Sequence, residues 1–135
     1  MTVKNVYDVA ARAMSAQLVR MNAIASNLAN ANNVTGDKES VYQPLRPVFK
    51  AIYSDKLKST GLSTVEAIRV ERLNREPIKT YQPNHPAADD EGYIYKAAVD
   101  MDEEMVEMLE TQRQYTNNIE AVSYTHLTLP TMDHV

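Results

Sequence analysis

From Val3 to Leu28 a series of mainly apolar positions advances alternately by four and three: Val3, Tyr7, Ala10, Met14, Gln17, Met21, Ile24 and Leu28. This is a seam with a 3.5-residue period, and only a helix places such a series along one side. Ala11, Leu18 and Ala25 widen the stripe, as a helix with more than one neighbour requires. No Gly or Pro interrupts before Gly36. The pattern therefore predicts one helix of about thirty residues and roughly 45 Å, at 1.5 Å per residue. Such a helix cannot cover its own stripe, so it needs partners. Its exit is marked by Asn27, Asn30, Asn32 and Asn33, followed by Val34, Thr35 and Gly36. Asn side chains bond nearby backbone, and Asn and Gly accept the left-handed conformation that ends helices.

A second seam lies near the other end. Met101, Met105, Met108, Gln112, Tyr115, Ile119 and Val122 again step by four and three, with Val106 and Leu109 as a flanking stripe. Asp100 fits the N-cap, and Asp102, Glu103 and Glu104 fall in the first turn, where the helix dipole favours carboxylates.

The segment between the helices changes period. Five of the six prolines lie there: Pro44, Pro47, Pro77, Pro83 and Pro86. Residues 48–53 and 65–70 read as short strands, with Gly92-Tyr93-Ile94-Tyr95 as a third. This is too little for an independent core. The expected fold is α+β, mainly α: two long antiparallel terminal helices with a small irregular β region between them. Residues 1–36 form the first helix and exit loop, 37–97 the middle region, 98–122 the second helix, and 123–135 an atypical tail.

Charge follows the same division. Residues 1–36 carry Lys4, Arg12 and Arg20 against Asp8; residues 96–122 carry Lys96 and Arg113 against seven acids. The ends are opposite in sign, which fits either two solvated faces or a pair of helices in contact. The overall net charge of −4 argues against nucleic acid as a partner.

The residues that perform chemistry are sparse. There is no Cys, which removes disulfides, thiolate metal sites and thiol catalysis together. His85, His126 and His134 share no metal-ligand spacing. Asp89, Asp90 and Glu91 near His85 read as an acidic surface loop, and Glu103, Glu104 and Glu107 as dipole complements. Gly36, Gly61 and Gly92 are isolated, so no phosphate loop exists. Met14, Met21, Met101, Met105 and Met108 sit at seam positions, where Met acts as adaptable packing. The chain is expected to have no cofactor, no metal, no small-molecule substrate and no enzymatic activity. The start shows no cleavable signal pattern, and no run of 18 apolar residues could cross a membrane.

Ser26-Asn27-Leu28-Ala29-Asn30 with the exit to Thr35 and Gly36 resembles the signature of the flagellar basal-body rod and hook proteins. Residues 16–22 resemble the helix upstream of it. The extra residues between Asn30 and Gly36, then Tyr42 and a Pro/Val/Phe strand, resemble the proximal-rod members. A second stretch is similar in the same order: residues 81–89, Gly92 to Tyr95, Val99-Asp100, Glu104-Met105-Val106, Arg113-Gln114-Tyr115 and Asn118. The resemblance covers residues 1 to about 122.

It implies a structural subunit of the proximal rod that transmits torque for motility. By the same resemblance the subunit leaves through the flagellar type III export gate uncleaved and assembles in the periplasm. Its partners would be copies of itself, other rod subunits, the membrane-ring base and the export apparatus. The implied assembly motif is Ser26, Asn27, Leu28, Ala29, Asn30, Thr35 and Gly36. The helix seam to be covered is Tyr7, Met14, Met21, Ile24, Met101, Met105, Met108, Tyr115 and Ile119. Two other readings stand beside it: another rod or hook-type axial protein, whose middle region is usually larger, and a generic coiled-coil oligomerising adaptor. Residues 123–135 depart from the family. Their hydroxyl and β-branched residues and Pro130 make a poor helix. They read as a replaced terminus, or alternatively as a divergent natural tail; on the first reading the helix ends between Val122 and Leu129 and the residues after Pro130 are loose.

Overall fold

The computed structural model describes the backbone of residues 3–52 and 64–133, and the side chains of residues 6–51 and 69–124. Two long helices form an antiparallel pair. Helix α1 spans Val3–Ala29 and helix α2 spans Met101–Asp133. Their direction follows from two contacts: Asn27 near the end of α1 reaches Glu104, while Arg20, two turns earlier, pairs with Glu107. The opposite charges of the two ends thus meet across the helix pair.

Asp100 caps α2 as expected, its Oδ1 accepting from the backbone N–H of Asp102 (3.0 Å) and Glu103 (3.3 Å). The far end differs from expectation. The helical backbone passes Val122 and Pro130 and continues to Asp133. No Gly interrupts this stretch, and extending a helix already formed costs less than nucleating one, so the helix continues although Pro130 removes a donor and crowds the preceding turn.

Among the described residues, five strands lie between the helices: β1 Val34–Thr35, β2 Leu45–Ile52, β3 Thr64–Arg72, β4 Ile78–Tyr81 and β5 Tyr93–Lys96. Three match expected strands with shifted ends. Tyr53, expected to end one of them, lies outside the described residues. Strands β1 and β4 are additional, and both are too short to carry a periodic signal. They form one sheet with β5 in the order β1-β5-β4. Its register explains its place: β1 directly follows the α1 exit, β5 shortly precedes α2, and Val34 pairs with Lys96 and Thr35 with Tyr95. A two-residue strand therefore ties the open end of the helix pair shut.

Strands β2 and β3 form a separate antiparallel hairpin that packs along α1, with a register irregularity at Val48 and Phe49. Beneath the junction lies a small core of Ala31, Val41, Ala97 and Val99, with Tyr42 and Tyr95 packed against it. The β4–β5 connection is organised by Asp89. Its Oδ1 accepts from the N–H of Glu91 (3.0 Å) and of Tyr93 (2.8 Å). Gly92 closes this turn at φ +86°, and a Cβ there would also lie 2.9 Å from the Tyr81 ring.

Candidate assembly site

Asn27 anchors the junction. It is the residue at which α1 turns its last buried face inward, and it is fully buried. Its Oδ1 accepts from the Leu45 N–H and from the Tyr42 hydroxyl, both at 2.7 Å. Its Nδ2 donates to the Leu45 carbonyl (3.0 Å) and to Glu104 Oε2 (3.2 Å). One side chain therefore holds the start of β2 in both directions and reaches the first turn of α2. The Tyr42 hydroxyl also contacts Ser26 Oγ at 2.8 Å. Glu104 is 1% exposed, and Arg46 donates to its Oε1 at 2.6 Å. A buried carboxylate is tolerated only when paired and hydrogen-bonded, and here both of its oxygens have a donor.

Within the Asn cluster, Asn30 and Asn27 make different kinds of contact. Asn30 Nδ2 does bond back to the Ser26 carbonyl (2.9 Å), closing the last turn of α1. Asn27 does not cap the helix; it joins three elements. Glu104 is likewise more than a dipole complement, because its position places it on the inner face of α2. Tyr42 and Arg46 complete the junction without standing out in the sequence as site residues. Their signal was weak, since an isolated Tyr or Arg in an irregular segment carries no period.

Gly36 is needed for a different reason from the expected one. The only positive φ among the described residues is at Gly92. Gly36 is instead a point of close approach, where a Cβ would lie 2.4 Å from the Ala87 carbonyl oxygen. Thr35 Oγ1 accepts from the Asp37 N–H (3.1 Å). Leu28 is half-buried and Ala29 exposed. Gly61 lies outside the described residues.

The seam residues divide. On α1, Ile24 is buried, while Tyr7, Met14 and Met21 are half-buried. The face that meets α2 is narrower and smaller: Ala10, Ala16, Ala23 and Asn27 are buried, with Ala13 and Arg20 partly so. On α2 the inner line is Glu104, Met108, Thr111, Tyr115, Asn118 and Val122. Met108 and Tyr115 are half-buried on this inner line, whereas Met101, Met105 and Ile119 are exposed, as are Val106 and Leu109. The reason is steric and electrostatic together. The Ala face of α1 brings the helices close, and the Glu104 clamp fixes the rotation of α2, which turns its apolar stripe outward.

No group of three potential metal ligands occurs among the described residues. His85 Nδ1 accepts from the Ala87 N–H (3.0 Å), and the Asp89 carboxylate is used by the backbone, so that loop is organised by internal bonds.

Two family matches fall on these elements. Residues 8–38 match the family described as flagella basal body rod protein, and residues 90–125 the one described as flagellar basal body rod FlgEFG protein C-terminal. The chain is also similar along its length to curated relatives. It is 34% identical to the flagellar basal-body rod protein FlgC of Yersinia enterocolitica, covering 93% of this chain and 91% of the relative. It is 35% identical to that of Salmonella typhimurium, covering 91% and 90%. It is 36% identical to that of Aquifex aeolicus, covering 93% and 90%.

Proposed function

Because the chain belongs to the flagellar basal-body rod protein family and is a structural subunit of that rod, we propose that its place is the proximal rod and its work the transmission of torque. The observation that supports this reading best is the outward stripe of α2. Val106 and Leu109 are 64% and 66% exposed on a helix whose rotation is fixed by a buried clamp. An isolated subunit gains nothing from that arrangement, whereas one packed among neighbours covers the stripe and gains about 25 cal/mol per Å² of apolar surface removed from water. Dense packing has low compressibility, so helices held this way pass torsion from one subunit to the next.

The junction suits the same task. Asn27, Glu104 and Arg46 tie α1, α2 and β2 at one point, so a load on either helix reaches the β region through short polar contacts. The partners in this reading are other rod subunits and copies of the chain, with the membrane-ring base and the export apparatus met on the way. In this reading the subunit crosses the inner membrane through the flagellar export gate and assembles in the periplasm. It catalyses nothing and binds no cofactor.

The test is replacement of the corresponding gene in a motile strain by one encoding this chain, followed by purification of basal bodies. The expected result is the chain in the rod and swimming cells. Basal bodies that lack the chain would overturn the reading, and recovery of the chain on a non-flagellar complex would favour the adaptor.

A further inference from the structure

The clamp at Asn27 holds only the β2 side of the β2–β3 hairpin. The β3 side has a fastening of its own. The last pair of the ladder is Leu45 with Arg72, and one step beyond it the Leu73 N–H donates to the Pro44 carbonyl at 2.8 Å. Gln43 then takes over. Its Oε1 accepts from the Arg75 N–H (2.9 Å) and its Nε2 donates to the Arg75 carbonyl (3.2 Å). A primary amide carries both donors and an acceptor, so this side chain binds Arg75 as a paired backbone residue would. The Arg75 side chain continues the line. Its Nη1 donates to the Ala98 carbonyl at 3.3 Å, two residues before the Asp100 cap of α2.

Both fastenings therefore end at the start of α2. Arg46 of β2 reaches Glu104 in the first turn, and Arg75 behind β3 reaches Ala98 just ahead of it. The hairpin also lies along α1. Apolar packing is non-directional and tolerates sliding, whereas hydrogen bonds fix distance and angle. A single polar joint leaves the hairpin a pivot to swing about, and a second joint set apart from the first removes that freedom.

We infer that Gln43 and Arg75 form this second joint, and that with the Asn27–Glu104–Arg46 clamp it locks the β2–β3 hairpin to the entry of α2. Hairpin and helix then turn as one body. Gln43 is the positioning residue of the joint. Without its amide the hairpin keeps the clamp as a single pivot, and residues 73–76 become the hinge, since hinges are a few element-terminal or loop residues. The lock belongs to the folded chain by itself, so it stands or falls separately from the rod-subunit reading.

The chain has no Cys, so two introduced ones take spin labels at chosen sites. Val70→Cys with Leu109→Cys, both at exposed positions, reports the hairpin against α2 by pulsed electron double resonance. A control pair, Leu18→Cys with Leu109→Cys, reports α1 against α2. In the otherwise unchanged chain each pair should give one narrow distance distribution. Gln43→Leu removes both amide bonds. It should broaden the hairpin distribution and leave the control pair narrow. Arg75→Met, which removes only the guanidinium bond to Ala98, should broaden the hairpin distribution less. A hairpin distribution already broad in the parent, or one that stays narrow in Gln43→Leu, overturns the lock. Broadening of both pairs together also overturns it, because that is general loosening and not release of the hairpin. If Gln43→Leu loses its helical circular dichroism, Arg75→Met decides by the same two pairs: broadening of the hairpin pair alone upholds the lock, and any other pattern overturns it.

Discussion

In its first three turns α2 departs from the usual order of an amphipathic helix. Its inner face holds Glu104 and Thr111, both essentially inaccessible, while its outer face carries Met105, Val106 and Leu109 in the open. An ordinary surface helix buries its apolar stripe and solvates its polar one. The inversion shows that two kinds of contact divide the labour. Polar contacts inside the chain fix how α2 is rotated, and apolar contacts wait for a neighbour. Buried polar groups are poor sources of net stability but good at defining register. Here the register they define is the one that presents the stripe.

The comparison breaks first at the clamp. Glu104→Ala would remove the buried carboxylate to which both Arg46 and Asn27 donate, leaving the Leu45 carbonyl as their remaining acceptor. Removing one partner of a buried ion pair costs about 3–5 kcal/mol, and because Arg46 is partly exposed, the lower end of about 3 kcal/mol is expected. Urea unfolding of the full chain, read by helical circular dichroism, measures it. A midpoint equal to that of the parent would mean that the clamp does not set the rotation of α2.

The next effect is at the closing strand. Gly36→Ala puts a Cβ against the Ala87 carbonyl at a distance that backbone cannot tolerate. The β4–β5 loop must move away from β1, at a cost of about 1–3 kcal/mol. The same unfolding measurement reports it. Amide exchange at Val34 and Tyr95, which are in or beside the β1–β5 pairing, should rise if the strand detaches.

Much of this architecture was legible in the residues. The four-three steps located both helices because period survives any choice of partner. The rotation of the helices was not legible. A stripe marks which residues avoid water, but not whether the same chain or another covers them, so Met101, Met105 and Ile119 were placed in a seam that the isolated chain leaves open. Asn27 stands out by its place in a motif, but its role is not legible there because its partners, Leu45, Tyr42 and Glu104, are 15 to 77 residues away. Short strands such as β1 escape because two residues show no alternation.

On the outer face the expectation inverts. Leu109→Ser removes an exposed apolar group from the monomer, where surface substitutions change stability by less than about 0.5 kcal/mol. The unfolding midpoint should stay at the parent value. Incorporation into rods should nevertheless fall, because a polar group replaces one that assembly buries. Quantifying the chain in purified basal bodies beside the parent decides it. Normal incorporation would mean that the stripe is not a contact surface.

The smallest effect tests a turn outside both faces. Asp37 opens the short 3-10 turn at Lys38–Ser40. Its Oδ2 accepts from the Ser40 hydroxyl at 2.7 Å and its Oδ1 from the Glu39 N–H at 3.0 Å. Both bonds favour the ionised carboxylate, the Ser40 bond most, and hold its pKa below the usual value. The sign follows from linkage. A depressed folded pKa gives stability that is present above the unfolded value and is lost as pH falls through the folded one, a window below about pH 4. The site is fully exposed, so the global midpoint should barely respond. The sensitive readout is the Asp37 titration by nuclear magnetic resonance. Ser40→Ala should raise that pKa towards the ordinary carboxylate value, leaving the Glu39 bond as the remaining cause of depression. A titration unchanged by Ser40→Ala would show that the hydroxyl does not hold this turn, while the clamp and the stripe would be untouched by that result.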